Sequence, residues 1–137
     1  MTKNQNLWFL DSGCSKHMTG DLSLLSSFTK KNGGYVTFRD NAKGKIMGIG
    51  NIGNSSSPII ENVLLVDSLK HNLLSISQLC DKGYKVIFES SKCLIENACS
   101  KEVIFIGERK DNVYIINIEK YSHQDKCFSV MKDDFWL

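Results

Sequence analysis

Near its amino end the chain reads Leu7-Trp8-Phe9-Leu10-Asp11-Ser12-Gly13. Four apolar residues that stop at a set of turn-forming residues are typical of a buried strand. The pattern therefore predicts a strand that delivers the Asp11 carboxylate at its end. Glycine lets the chain turn sharply there, and the hydroxyl of Ser12 can hydrogen-bond beside the carboxylate. Such an arrangement can hold an acid in a fixed position for chemistry.

Short β-rich runs follow along the chain, and they predict an all-β protein. Residues 35–38 and 45–49 flank the polar segment 39–44, which predicts a hairpin with a projecting tip. In residues 72–80 the apolar side chains recur at helical spacing, so one short helix is predicted there, capped by Asn72 and ended by Gly83. The other predicted strands lie near residues 59–66, 84–88, 93–96, 103–106 and 113–118.

Composition excludes several classes of protein. The length of 137 residues fits one domain and is too short for a two-lobed enzyme that carries both catalytic carboxylates in one chain. Apolar runs are far below the roughly 18 residues of a membrane span, and the first residues lack an apolar signal region, so we expect no membrane association and an intracellular protein. The net charge of +2 is spread along the chain, which predicts no nucleic-acid partner.

Neither a metal nor a cofactor is predicted. Cysteine and histidine residues near the carboxyl end do not have the spacing of a standard zinc site, and the odd number of cysteines indicates reduced thiols. Residues 48–53 match the dinucleotide fingerprint G-x-G-x-x-G, but Asn54-Ser55-Ser56-Ser57-Pro58 follows and cannot open the helix that the fingerprint requires. Glycines in a bent strand explain the match better. The zinc candidates considered are Cys93, Cys99, His123 and Cys127.

A strand-borne acid followed by Ser-Gly suggests aspartic proteolysis. This chemistry needs two carboxylates about 3 Å apart that share one proton, since like charges so close cannot both ionise. A second D-x-G occurs at Asp81-Lys82-Gly83, but it follows a helical pattern and suits a helix C-terminus. The second carboxylate is therefore expected from a second copy of the chain, related by a two-fold axis.

Two sequence blocks resemble the protease of copia-like retrotransposons. Residues 8–20 read W-F-L-D-S-G-C-S-K-H-M-T-G, and residues 61–79 contain E-N-V-L-L-V followed by N-L-L-S-I-S-Q-L in the expected order and separation. The resemblance implies a retropepsin-like closed acid-protease barrel that works as a homodimer on peptide segments of its own polyprotein. It implies that Asp11 is catalytic and is supported by Ser12 and Gly13. The implied substrate-binding flap consists of Asp40, Asn41, Ala42, Lys43 and Gly44.

The resemblance extends over roughly residues 7–88. It divides the chain into a protease domain at residues 1–90 and a β-rich extension at residues 91–137, leading towards an integrase, with strands after Tyr84 expected at the dimer interface. Retroviral relatives place an apolar-apolar-Gly-Arg sequence before the helix, whereas this chain has Ser68-Leu69-Lys70-His71. A cytoplasmic location, including virus-like particles, is also implied.

Two other interpretations of the same residues stay open. The chain could be a catalytically silent retropepsin-fold dimer that acts as a peptide-binding or structural module. Cys14 and His17, three residues apart, could alternatively form a cysteine nucleophile with its base. The simpler interpretation of His17 is a hydrogen-bonded histidine that stabilises the turn after Asp11.

Overall fold

The computed structural model describes residues 6–38, 40–54 and 57–122. Within these residues the chain forms eleven strands, two short α-helices and one 3-10 turn, and it is therefore all-β, as predicted. The strands are β1 (Leu7–Asp11), β2 (His17–Thr19), β3 (Ser27–Lys30), β4 (Tyr35–Thr37), β5 (Lys43–Asn54), β6 (Ser57–Val66), β7 (Asn72–Ser75), β8 (Tyr84–Phe88), β9 (Lys92–Asn97), β10 (Val103–Lys110) and β11 (Val113–Asn117). The helices are α1 (Ile76–Asp81) and α2 (Glu119–Ser122), and the 3-10 turn is Leu22–Leu24.

Strand β1 occupies the middle of the sheet. The strands follow the order β3-β5-β6-β2-β7-β1-β11-β10-β9-β8, and β4 pairs with β5 beside this path. β7 pairs with β1 in parallel, which sets Asp11 opposite Ser75. β11 pairs with the other edge of β1 in antiparallel orientation. The strand that carries the predicted acid is therefore held on both edges.

The helix prediction for residues 72–80 was half wrong. Its first four residues form strand β7, and the helix begins only at Ile76, with Ser75 in place of Asn72 as the N-cap. Asn72 is instead buried in the sheet. Apolar spacing alone could not separate a strand from a helix here, since the deciding factor is the free edge of β1 far away in the sequence. Gly83, with φ of +95°, follows the helix as predicted.

Strands on both sides of residue 90 belong to one sheet. β8 precedes this position, and β9 to β11 follow it and lead back to β1. Core side chains also come from both segments. The division into domains at residue 90 stays a prediction. The strand pairing shows no break in the sheet at this position. The largest buried core residues are Trp8, Ile52, Val63, Leu74, Leu79, Ile95, Phe105, Ile116 and Ile118.

The glycine-rich segment 48–53 lies inside strand β5, so the dinucleotide interpretation is excluded by geometry. Strand β6 follows it instead of a helix. Glycine is required at Gly48 because a Cβ there would collide with the ring of Phe28 and the carbonyl oxygen of Thr29 on β3. The glycines thus let β3 approach β5 closely, which is a packing role. Among the described residues, neither helix has the length and apolarity needed to cross a membrane.

Candidate active site

Asp11 is the last residue of β1 and is half-buried. Its Oδ1 accepts a hydrogen bond from the backbone N–H of Gly13 at 2.6 Å, which closes a tight turn over Ser12. Ser12 and Gly13 themselves are exposed on the single chain. The predicted strand, acid and turn are therefore all present, and the carboxylate is anchored by one oxygen to its own turn.

Buried polar side chains are concentrated around this turn. All those within the described residues lie on β2, on β7 or in α1, next to the loop that follows Asp11. A buried polar group is costly unless its hydrogen bonds are made, and within the described residues no buried side-chain nitrogen or oxygen lacks a partner. We call this set the polar network; it consists of His17, Thr19, Asn72, Ser75 and Gln78.

Ser75 joins the network to the acid turn. Its backbone N–H donates to His17 Nδ1 at 2.9 Å, and its hydroxyl donates to the carbonyl oxygen of Cys14 at 2.8 Å. The same hydroxyl accepts from the Gln78 backbone N–H at 3.1 Å as the N-cap of α1. One residue, opposite Asp11 in the sheet, therefore fixes the loop after the acid and begins the helix.

Gln78, in α1, bridges strands β2 and β6 with its side-chain amide. Its Oε1 accepts the backbone N–H of His17 at 2.9 Å. Its Nε2 donates to the carbonyl oxygens of Asn62 at 3.1 Å and Glu61 at 3.3 Å on β6. The side chain is only 7% exposed, so these bonds form out of contact with bulk water. Gln78 thus ties β6 to the first residue of β2, where the loop after Asp11 ends.

Thr19 and Asn72 complete the network below the acid. The Thr19 hydroxyl donates to Asn72 Oδ1 at 2.6 Å, and Asn72 Nδ2 donates to the carbonyl oxygen of Leu7 at 2.9 Å. Both side chains are fully buried. They connect β2 to β7 and β7 to the start of β1, so the β7 edge of the strand that carries Asp11 is fixed by side-chain as well as backbone hydrogen bonds.

The cysteine-nucleophile interpretation is not supported by the geometry. Burial, together with the nearby Asp11 carboxylate, raises the pKa of the Cys14 thiol to about 11, which keeps it protonated and unreactive at neutral pH. The Nδ1 of His17 is occupied by the Ser75 N–H. His17 therefore acts as a buried hydrogen-bonded histidine, in agreement with the simpler interpretation.

Comparison with known proteins places this arrangement in a family. A family model described as "Pol polyprotein, beta-barrel domain" matches residues 8–84, more than half of the chain. The chain belongs to this family. The matched residues contain Asp11, its turn and the whole polar network. The family's β-barrel description agrees with the all-β fold.

Two curated relatives of this beta-barrel domain come from Arabidopsis thaliana. The chain is 29% identical over 116 residues to the retrovirus-related Pol polyprotein from transposon RE1, and 29% identical over 118 residues to that from transposon RE2. Each alignment covers 81% of this chain but only 8% of the relative. The chain thus corresponds to a small part of these polyproteins. No solved structure matches it.

The predicted hairpin of the beta-barrel domain is present between β4 and β5. Its turn is closed by the N–H of Phe38, which donates to the carbonyl oxygen of Ala42 at 2.8 Å. Asp40 Oδ1 accepts the Ala42 N–H at 3.0 Å, and Asn41 has a positive φ of 70°. Asp40, Asn41, Ala42 and Lys43 are exposed at the tip, whereas Gly44 is buried. Their role in substrate binding stays a prediction.

The second D-x-G occupies a helix end, as the sequence indicated. Asp81 is the last residue of α1, Lys82 is its C-cap, and Gly83 has the positive φ of a helix terminator. Asp81 is exposed. It lies on no strand end, so within the described residues the single chain places one D-x-G acid, Asp11, at the end of a central strand.

One face of the sheet beside Asp11 carries partly exposed apolar side chains, bordered by the charged Glu108, Lys110 and Lys120. Side chains alternate along β1, so Phe9 and Leu7 share the face of Asp11. Strand registers extend this face through Ile115 of β11 to Ile106 of β10. Ile106 is 49% exposed, and a cavity of about 200 Å³ lies on the face. We call this surface the outer face; it consists of Leu7, Phe9, Ile87, Leu94, Ile106 and Ile115.

The four zinc candidates do not assemble in the part of the chain that the structure describes. Cys93 is buried in the core and Cys99 is exposed, while His123 and Cys127 lie outside the described residues. Burial raises the pKa of the Cys93 thiol, which disfavours the thiolate that a metal needs. Among the described residues, no group of three or more histidine, cysteine or acidic side chains has the geometry of a metal site.

Four residues of the polar network were missed by sequence reasoning: Thr19, Asn72, Ser75 and Gln78. Single polar residues in apolar segments are usually solvent-facing, so each one alone carries little signal. The signal that could have found them is their position, because all four fall inside the two blocks that resemble the copia-like protease.

Proposed function

We propose that this chain is the aspartic endopeptidase of a copia-like retrotransposon Pol polyprotein, active as a homodimer with one Asp11 from each subunit. The observation that carries the proposal is the anchored acid: a carboxylate at the end of a central strand, closed by the N–H of Gly13 at 2.6 Å. The polar network beneath it supports the proposal further. Catalysis of this type depends on acids held in fixed positions.

The mechanism requires a second carboxylate. Two Asp11 side chains meeting on a two-fold axis would share one proton, so that the ionised acid activates water and the protonated acid donates to the scissile carbonyl. Ser12 and Gly13 orient the pair, and the 40–44 hairpin closes over an extended peptide that binds as an added strand. The substrate is a segment of the same polyprotein, and processing takes place in the cytoplasm or in particles assembled there.

The outer face is the proposed dimer surface next to the dyad. It lies on the same side of β1 as Asp11, so a partner that brings its own Asp11 to the axis approaches this side. Half-exposed apolar side chains bordered by charged ones, here Glu108, Lys110 and Lys120, are suited to protein contact. The strands after Tyr84 contribute most of it, and their place at the dimer interface is part of the proposal.

Ile106→Lys is expected to weaken the dimer. A lysine on the outer face would place a strongly hydrated charge where Ile106, 49% exposed in the single chain, becomes covered. We expect the dissociation constant of the dimer, measured by sedimentation equilibrium, to rise at least about tenfold. This corresponds to a loss of about 1.4 kcal/mol in the free energy of dimerisation. Peptidase activity per chain should fall at low protein concentration and recover at high concentration.

A matched change checks that this effect is local. Leu22 is 51% exposed on the 3-10 turn and is not part of the outer face. Leu22→Lys should therefore leave the dissociation constant within about twofold of wild type. Equal weakening by both substitutions, or none by either, would remove the outer face from the proposed interface.

The proposed function is tested with a precursor that carries this domain and its flanking polyprotein sequences, made inactive by Asp11→Asn. The wild-type chain should cleave it, with the highest rate on the acidic side of neutral, because only the singly protonated dyad is active. Excess Asp11→Asn chain, mixed in before the assay, should inhibit by trapping wild-type subunits in heterodimers. If the degree of inhibition does not follow the fraction of wild-type chains in heterodimers, a dyad shared between two subunits is excluded.

The competing function is a silent dimer that binds peptide or serves as a structural module. It predicts a chain that is dimeric by sedimentation but cleaves no precursor at any pH between about 3 and 8. Binding of the uncleaved junction peptides by such a dimer would then support the binding module.

A further inference from the structure

The polar network contains one member whose hydrogen bond depends on its protonation state. His17 Nδ1 accepts the Ser75 N–H at 2.9 Å, so the ring must be neutral and carry its hydrogen on Nε2. The ring is 2% exposed. Ser75 is paired with Asp11 in the sheet, and its hydroxyl binds the carbonyl oxygen of Cys14 in the loop after the acid. One ring nitrogen therefore stabilises the link between the acid's strand and its turn.

We propose that neutral His17 is a positioning residue for Asp11, and that protonation of its ring releases the Asp11 turn and sets the acid limit of activity. The inference about activity rests on the proposed function. The structural part, that protonation of His17 loosens residues 11–17, can be measured whether or not the chain is a peptidase.

The physical reason is that protonation turns the acceptor nitrogen of His17 into a donor. A protonated imidazole carries N–H on both nitrogens, so its Nδ1 would oppose the Ser75 N–H instead of accepting from it. The cation would also be buried, because His17 is 2% exposed, and a buried charge is poorly solvated. The two costs act together, and the ring must leave its site to avoid them. In agreement, burial lowers the pKa of His17 to about 4.

Other ionisable groups face His17 from the neighbouring elements. Glu61 of β6, Lys82 at the end of α1 and Tyr84 of β8 line a cavity of about 220 Å³ together with the histidine. On the loop side, Ser75 links the ring to the carbonyl oxygen of Cys14. Within the described residues His17 makes no ion pair and no ring hydrogen bond except that with Ser75. Burial, the cause of the lowered pKa, therefore dominates over these charges.

The direction of the pH effect follows from the lowered pKa. Between about 6.5 and 4 the unfolded chain binds a proton at this histidine that the folded chain does not. The stabilisation by neutral His17 is therefore complete above about pH 6.5 and is lost as the pH falls towards 4. Below about pH 4 the folded chain is protonated as well, and the turn is released.

The variant His17→Asn keeps a hydrogen-bond acceptor for the Ser75 N–H but removes the ring that titrates. The asparagine Oδ1 can accept the Ser75 N–H in place of Nδ1, but it cannot be protonated in this range. We expect activity near pH 6 to be retained and the acid limb of the pH profile to move down by about one pH unit. His17→Ala, which has no acceptor, should lose activity at every pH. Exposed His71→Asn should leave the acid limb in place.

A measurement without catalysis decides the structural part. In the Asp11→Asn chain, the ring nitrogens of His17 and the amides of Gly13 and Cys14 are followed by NMR between about pH 7 and 3. We expect the Nε2–H tautomer at neutral pH, and amide shifts that change in step with ring protonation. Adding His17→Asn to this chain should abolish the part of the amide shift change that accompanies ring protonation.

Three results would overturn the inference. The first is a His17 ring that carries its hydrogen on Nδ1 at neutral pH. The second is a set of Gly13 and Cys14 amide shifts that do not change when the ring is protonated. The third is a pH profile whose acid limb stays in place in His17→Asn. An inactive wild-type chain whose amides follow the ring would refute the proposed function and leave His17 as the residue that positions Asp11.

Discussion

Asp11→Asn is expected to abolish cleavage of the polyprotein precursor. The substitution keeps an oxygen that can accept the Gly13 N–H, so the turn is preserved, but an amide can neither ionise nor share a proton. Because each subunit supplies the same residue, a homodimer loses both acids at once. We expect the rate to fall at least about a thousandfold, the scale of lost acid–base catalysis. The measurement is precursor cleavage under single-turnover conditions.

The dimer should survive this change. Two carboxylates on one axis repel each other unless a proton is shared, and the amides remove that repulsion. The dissociation constant of the Asp11→Asn chain should therefore equal or fall below that of wild type. Asp81→Asn, in the second D-x-G, is the matched control and should keep full activity, because Asp81 is exposed at the end of α1. Activity above about a tenth of wild type in Asp11→Asn would refute the dyad.

Gln78→Met is expected to give the largest loss of stability. Methionine has a similar volume, so packing is nearly conserved while the three hydrogen bonds of the side-chain amide disappear. The His17 N–H is then left buried without its partner, a cost of about 1–3 kcal/mol, and the two carbonyl oxygens on β6 lose theirs. We expect urea denaturation to show a free energy of unfolding lower by about 3 kcal/mol.

Peptidase activity of the Gln78→Met chain should fall together with its stability, because Gln78 fixes the loop that follows Asp11. The control is Cys80→Ala, an exposed position on the same helix, where the change in free energy of unfolding should stay within about 0.5 kcal/mol. A Gln78→Met chain as stable as this control would mean that water replaces the amide and that the network is not a structural requirement.

Residues with strong local patterns were predicted well. The strand before Asp11, the 40–44 hairpin and the strand Tyr84–Phe88 were found from apolar runs and turn residues, because these signals lie within a few neighbours. The position of Asp11 at a strand end and the helix end at Gly83 were also predicted correctly. Short strands such as β2, with three residues, carry too little periodicity to be predicted.

The segment 72–75 shows why local signals were not enough. Its apolar spacing continues into α1, so it was predicted as the first turn of a helix, yet it forms a strand because it can pair with β1. That partner is more than sixty positions away in sequence. Backbone groups buried in a sheet must be paired, and this requirement outweighed the helical spacing.

By itself the sequence determined the all-β class, the acid at a strand end, the turn that holds it and, through its single D-S-G, the expectation of a second subunit. Only the tertiary structure decided what lies around the acid. It set Ser75 opposite Asp11, turned His17 inward as a hydrogen-bond acceptor, and aligned the outer face beside the carboxylate. Local patterns report on neighbouring residues, whereas these contacts depend on which distant strands pair and in which register.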